Sequence, residues 1–291
     1  VAGRRAALLE RLGGEVTVIR AACIQLNVGP EVGPNLAAAA TLIRDAAARG
    51  ATLIALPEVA DAIIEDPALL QQRAQPEERH EALAGYRALA RETGTALLLG
   101  SAVVRTDGPR FANRSYLLGP DGAILARYDK IHLYDSDLPD GEVHRESAQF
   151  APGGTGVVAR LPGGGRLGLT ICYDLRFPQL HRALAKAGAE ILAVPSAFAC
   201  ATGAAHWEVL LRARAIESGC FVLAPAQTGT HHLGRRTWGH SLIVSPWGEV
   251  LADAGTEVGL VLADLDLDQV RSARAALPTL THDRPFEVVT A

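Results

Sequence analysis

Ala51-Thr-Leu-Ile-Ala-Leu56 is a near-continuous apolar run of strand length that ends at Pro57-Glu58. A strand with one wet face alternates apolar and polar residues; a run like this one describes a strand covered on both faces. Residues 190–194 repeat the pattern before Pro195-Ser196, and Leu167, Leu169 and Ile171 repeat it before Cys172. Such a chain must supply layers to cover its strands. Residues 35–49 (closed by Gly50), 76–93 (ended by Gly94), 177–187 (with Pro178 in the first turn) and 206–218 carry helix-forming composition and the matching end signals.

The other segments read as antiparallel. Residues 113–118 and 123–127 flank Gly119-Pro-Asp-Gly122, a strong hairpin turn. Residues 239–244, the turn Ser245-Pro-Trp-Gly248, 250–252 and 259–264 form a second hairpin set, and a last helix over 266–277 stops before Pro278. Residues 16–26, 95–104 and 220–224 are further strands, and 135–156 is expected to be a long, irregular, polar loop. Strands followed by helices in the first and third quarters, with hairpins in the second and fourth, predict an α/β fold. Its expected form is a four-layer αββα sandwich of two mixed sheets with helices on the outer faces. Residues 1–15 read as a polar lead-in outside the core and 16–291 as one domain.

Charge narrows the partners. A net charge of −4 and a pI near 6.2 leave no electrostatic footprint for nucleic acid, and no Lys/Arg block suggests a membrane patch. Arg4, Arg5, Glu10 and Arg11 interrupt any apolar leader, so a cytoplasmic protein is expected. Cys23, Cys172, Cys200 and Cys220 lie far apart with no CxxC pair, which points to reduced thiols rather than a disulfide scaffold or zinc ribbon. Lysine occurs only at Lys130 and Lys186 in a chain whose basic residues total 28. A retained lysine suggests a site that needs a compact ammonium, because a planar guanidinium does not replace it geometrically.

Glu58, Lys130 and Cys172 each follow an apolar strand, and ligands of sheet proteins gather beyond carboxyl strand ends. Taken singly, each has a structural alternative: a turn acid, a surface charge, an inert core thiol. Together they have complementary chemistry. A thiol needs a base, a role for which burial raises the pKa of a carboxylate such as Glu58. An oxyanion formed at an amide carbonyl needs a cation and a backbone N–H, which Lys130 and Tyr173 can supply. Backbone N–H groups at the strand-to-helix transition are also expected to lower the Cys172 pKa.

Four segments carry a family resemblance in order: Leu56-Pro-Glu58, Tyr128-Asp-Lys130-Ile-His-Leu133, Glu146-Ser147 with Pro152-Gly153, and Cys172-Tyr-Asp-Leu-Arg-Phe-Pro178. They resemble the glutamate, lysine, second glutamate and cysteine motifs of the nitrilase superfamily of carbon–nitrogen hydrolases. Pro195-Ser-Ala-Phe198, Thr202-Gly203, the stretch from His206 to Glu217, Gln227-Thr-Gly229, Gly239-His-Ser241 and Pro246-Trp-Gly248 are similar to the Nit branch, nearest its deaminated-glutathione amidases. Gln179 departs from the acid that the branch commonly has after Phe-Pro, and the tail 277–286 matches loosely.

The resemblance implies Cys172 as nucleophile, Glu58 as general base and then acid, Lys130 as oxyanion donor, Glu146 as positioning acid and the Tyr173 N–H in the oxyanion hole. It implies no metal or organic cofactor, a homodimer or higher homo-oligomer, and hydrolysis of a small carboxylate-bearing amide such as deaminated glutathione, or a related ω-amide of an α-keto acid. N-carbamoyl amino acid or nitrile hydrolysis at the same site, and an inactive small-acid-binding homologue, are the alternatives. Arg176 is a candidate for the substrate carboxylate, though pairing with Asp174 is the expected structural role; Phe198, Thr202, Trp207, His231 and His232 are pocket candidates. A metal site on His206, His231, His232 and His240 is disfavoured, since no pair has the i, i+4 helical spacing. A papain-like site is disfavoured because its local cysteine signature is absent.

Overall fold

The computed structural model describes residues 17–138, 141 and 143–290, so the expected lead-in lies outside the described residues. In β1 (Val18–Gln25) alternate side chains enter different cores. Ala21 and Cys23 join a cluster with Leu167, Leu169, Ile191 and Ala193, whereas Ala22 and Ile24 join one with Ala39, Ile43, Leu83 and Tyr86. The same division runs through β2 (Leu53–Ala55) and β3 (Ala96–Val104): Leu53, Ala55 and Leu98 turn one way, Ile54, Leu97 and Leu99 the other. Two-sided burial is therefore what the apolar runs encode.

Helices α1 (Val32–Ala48), α2 (Pro67–Arg73) and α3 (Glu81–Thr93) fall within the first half of the chain. Of these, α1 and α3 cover the outer face of the first sheet. β4 (Ala112–Leu118) and β5 (Ile124–Asp129) form the expected hairpin. β6 (Asp135–Asp137) and β7 (Val143–Arg145) make a short ladder, followed by β8 (Val157–Arg160) and β9 (Arg166–Leu169). After a 3-10 turn at Cys172–Arg176 come α4 (Pro178–Lys186), β10 (Ile191–Ala193), α5 (Cys200–Ser218) and β11 (Phe221–Ala224). β12 (Thr228–Thr230), β13 (Arg236–Trp238), β14 (Leu242–Val244), β15 (Val250–Asp253), β16 (Gly259–Asp266) and α6 (Asp268–Ala276) complete the chain.

Two six-stranded sheets result, in the orders β16-β1-β2-β3-β4-β5 and β15-β14-β11-β10-β9-β8. Each has three parallel strands at its centre and antiparallel neighbours outside them. β1 pairs with β16 from Val18↔Asp266 to Gln25↔Gly259, so the two ends of the chain close one sheet. Leu180, Leu184, Trp207, Leu211, Ala215 and Val270 bring α4, α5 and α6 onto the second sheet. This is the four-layer αββα sandwich. No helix among the described residues is long and apolar enough to cross a membrane.

Several local expectations need correction. The 135–156 segment is not wholly irregular, because β6 pairs with β7 and a 3-10 turn occupies Glu146–Ala148. α5 starts six residues before His206, and residues 76–93 are a 3-10 turn and a separate helix divided at His80, whose ring accepts from the Leu83 N–H. α2 was not anticipated, although its signal was present: Asp66 accepts from the Ala68 N–H and Pro67 opens the helix.

Candidate active site

Cys172, Glu58 and Lys130 come from three strand ends in two sheets. Glu58 lies three residues beyond β2, Lys130 directly follows β5, and Cys172 lies three residues beyond β9. The backbone is bent to fit. Cys172 has φ +46° and Val59, next to Glu58, has φ +47°, a conformation that costs a β-branched residue of order 1–3 kcal/mol. Hydrogen bonds hold both: the Cys172 N–H donates to the Pro195 carbonyl at 2.9 Å, and the Val59 N–H to Ser101 Oγ at 2.8 Å.

Asp174 fixes the cysteine turn from beneath. Fully buried, it accepts from Tyr128 Oη (2.6 Å), the Ile171 N–H (2.9 Å), the His132 N–H (3.0 Å) and the His132 ring (2.7 Å). The expected Arg176–Asp174 pair does not form, because Asp174 is already occupied by the Ile171 N–H and by Tyr128 and His132 from the Lys130 segment. Arg176 instead lies over the Phe198 ring and against His206. The cysteine turn and the lysine turn are thus tied to one carboxylate.

Lys130 is almost fully buried, and its ammonium donates to Glu58 Oε1 at 2.9 Å and to Glu146 at 2.8 and 3.1 Å. Its backbone is held by its own N–H donating to the Asn113 carbonyl and by the Gly153 N–H donating to its carbonyl. A Cβ at Gly153 would lie 2.2 Å from the Asp129 carbonyl oxygen, which is why the Pro-Gly motif needs glycine there. Glu58 also accepts from the Ala197 N–H at 2.9 Å, and its own carbonyl accepts from Gln227. Asn113 was missed by sequence reasoning. Its side-chain amide donates to Glu58 Oε1 at 3.0 Å and Glu146 Oε1 at 3.2 Å, doubling the two contacts of Lys130.

This arrangement settles the charges. Burial would raise the Glu58 pKa, but the charge and hydrogen bond of Lys130 outweigh it and hold the carboxyl below the ordinary range. That reverses the expected direction. Burial would likewise lower Lys130, but Glu146 and Glu58 keep it well above the ordinary lysine value. Cys172 departs from expectation too: burial and the Glu58 charge push its thiol up, and Lys130 and the Ala197 N–H do not reverse the shift. Glu58, held low, is hydrogen-bonded to the Cys172 thiol, held high, and the Lys130 ammonium lies between Glu58 and Glu146.

Glu58, Lys130, Glu146 and Cys172 line one cavity of about 410 Å³, with Asn113, Tyr134, Arg145, Gln149, Phe150, Ala197 and Arg235 among its other walls. The pocket candidates from sequence are placed elsewhere. Trp207 is core, donating to the His240 carbonyl and packing on Phe198; Thr202, in the first turn of α5, donates to the carbonyl of Ala199, the residue before the helix. His231 is locked between the Val28 carbonyl and Thr237 Oγ1, and His232 is exposed. None of these, nor Arg176, lines the cavity. His206 contacts Arg176 and His240 contacts Asp253, so the histidines do not converge, and no group of three or more metal-ligating side chains occurs among the described residues.

The carbon–nitrogen hydrolase family model matches residues 20–275. A mouse protein named deaminated glutathione amidase is 44% identical over 268 residues, covering 91% of this chain and 83% of the mouse protein. Among solved structures, the NitFhit protein of C. elegans superposes with a TM-score of 0.85 at 36% identity, covering 93% of this chain and 66% of that one. Saccharomyces cerevisiae Nit3, a member of branch 10 of the nitrilase superfamily, superposes with a TM-score of 0.82 at 28% identity, covering 93% and 97%. The fold, the ordered motifs and these likenesses agree, and the chain belongs to the carbon–nitrogen hydrolase family.

Proposed function

We propose that this protein is an amidase that hydrolyses a small carboxylate-bearing amide through a Cys172 thioester, with deaminated glutathione, cleaved to α-ketoglutarate and cysteinylglycine, as its substrate. The observation that carries the reading is the meeting of the Cys172 thiol, the Glu58 carboxylate and the Lys130 ammonium at one cavity. The name borne by the mouse relative supports the choice of substrate.

In this mechanism Glu58 takes the thiol proton as Cys172 Sγ bonds to the amide carbonyl carbon. Because the thiol pKa is raised, deprotonation accompanies attack instead of preceding it. The oxyanion is received by Lys130 and the Tyr173 N–H, which follows Cys172 at the start of a 3-10 turn, where backbone N–H groups lack helical acceptors. The C–N bond then breaks and Glu58 delivers its proton to the leaving nitrogen. A water attacks the thioester while Glu58 accepts its proton, the C–S bond breaks, and the proton returns to sulfur. Glu146 acts as the positioning acid: it accepts from Lys130 and from the Tyr134 N–H at 2.6 Å, so the ammonium stays charged while Glu58 is transiently protonated.

A cytoplasmic homodimer completes the reading. Val209 and Ile216 of α5 are exposed, and the Trp247-Gly248 turn lies against Ile216, an apolar surface suited to a second copy. Sedimentation tests that part. The activity is tested with a panel of amides, nitriles and N-carbamoyl acids, scored by release of ammonia or amine and by the mass of an acyl adduct on Cys172. Amide turnover with an adduct that disappears in Cys172→Ala is expected; turnover of nitriles alone refutes the amidase.

A further inference from the structure

We propose that Arg235 is the group that docks a substrate carboxylate on the acyl side of the scissile amide; this deepens the amidase reading above and rests on it. A carboxylate entering this cavity meets Glu58 and Glu146 at the reacting end and Glu65 at an exposed position on the wall, so it needs an uncompensated cation. Among the described residues three cations, Lys130, Arg145 and Arg235, line the cavity. Lys130 is shared by two carboxylates, and Arg145 pairs with Asp137 at 2.6 Å while also donating to the Ser136 and His144 carbonyls. Among the described residues Arg235 has no carboxylate partner: one Nη donates to the Ala197 carbonyl at 3.3 Å, leaving the rest of the guanidinium for a ligand.

That single contact also sets the distance. The N–H of Ala197 faces Glu58 and the Cys172 sulfur, while the carbonyl of the same residue holds Arg235. Summing one residue's N-to-O span and two hydrogen bonds puts the guanidinium at most roughly 10 Å from the sulfur. An acyl chain with two or three methylenes between carbonyl and carboxylate spans about 5–6 Å, and a charge-assisted hydrogen bond adds about 2.8 Å. Monoamides of four- or five-carbon dicarboxylic acids fit within that limit.

The arginine is also preorganised. It follows the 3-10 turn His232–Gly234, its carbonyl accepts from the His231 N–H at 2.7 Å, and His231 is pinned at both ring nitrogens. β12 and β13 then tie the hairpin from Thr228↔Trp238 to Thr230↔Arg236. With the backbone fixed, no loop has to be ordered when the guanidinium binds a ligand.

The test compares kcat/KM for glutaric acid monoamide with that for pentanamide, which lacks the carboxylate. Arg235→Ala should lower the ratio of the two about 100-fold, and Arg235→Lys should recover part of it. An equal loss on both amides would overturn the proposal, since it would mean that Arg235 only supports Ala197 and Glu58. So would a collapse of the ratio in Arg176→Ala with none in Arg235→Ala. A second readout is independent of turnover: glutarate binding to Cys172→Ala, measured by calorimetry, should weaken on adding Arg235→Ala. If the wild-type protein hydrolyses no amide, the amidase reading fails, whereas unchanged glutarate affinity would sink the docking role alone.

Discussion

Replacing Lys130 by methionine keeps most of the side-chain volume and removes one buried positive charge. In the native site that charge lies 2.9 Å from Glu58 and 2.8 Å from Glu146, and the three side chains are between 3% and 14% exposed. Removing one member of a buried ion pair costs about 3–5 kcal/mol, because the partner is left charged without compensation. Here two partners are stranded. At about 2–4 °C per kcal/mol for a chain approaching this size, Tm at pH 7.5 should fall by roughly 6–20 °C.

The loss should depend on pH with a definite sign. In the wild type the Glu58 pKa is held below its unfolded value, so its contribution is present above the unfolded pKa and disappears as pH falls through the folded one. In Lys130→Met the hydrogen bonds from Ala197, Asn113 and Cys172 are left to oppose burial without the cation, so the Glu58 pKa should rise above its unfolded value; that penalty is full at neutral pH and fades as the carboxyl protonates. The Tm difference between variant and wild type should therefore shrink from pH 7.5 to pH 5. Lys130 itself stays charged throughout this window, its own pKa being raised. Scanning calorimetry or fluorimetry at both pH values is the assay. An equal Tm loss at the two values, or a loss worth less than about 1 kcal/mol at pH 7.5, would refute the ion-triad account.

Three further outcomes follow from the same geometry. Asn113→Ala removes a donor shared by Glu58 and Glu146, so the Glu58 pKa rises; the acid limb of kcat/KM should move to higher pH, and an unmoved limb with lower kcat would make Asn113 merely structural. Asp174→Asn puts an NH2 where donors from four groups arrive, which should cost about 2–4 kcal/mol in denaturant unfolding and lower kcat more than 10-fold by releasing the Cys172 turn; wild-type values would contradict it. Gly100→Ala places a Cβ 2.0 Å from the Leu56 carbonyl oxygen and 2.4 Å from that of Pro57, so kcat should fall together with stability; an active, stable variant would show that Glu58 tolerates displacement of its strand end.

Much of this molecule is legible locally. An apolar run with no polar alternation needs cover on both faces, and Ala21, Ala22, Cys23 and Ile24 divide between two cores as that rule requires. The placement of the candidate residues at strand ends is also a local property, since Glu58, Lys130 and Cys172 are positioned by the few residues before them. Their sequence motifs sufficed to nominate them and Glu146. Local signals were overlooked at Asp66-Pro67, which caps and opens α2.

What the sequence could not determine is set by contacts between residues far apart in the chain. Asn113 lies within a strand, and only the packing of β4 beside Lys130 and Glu58 turns it toward two carboxylates. Arg176 and Asp174 are two residues apart yet do not pair, because Tyr128 and His132, reaching from another segment, occupy the carboxylate first. The protonation states are tertiary for the same reason: burial alone would raise Glu58, and a cation 72 positions away in sequence reverses the sign. Hydrophobic periodicity is written between near neighbours, whereas an electrostatic field falls off with distance through space and takes no account of separation along the chain.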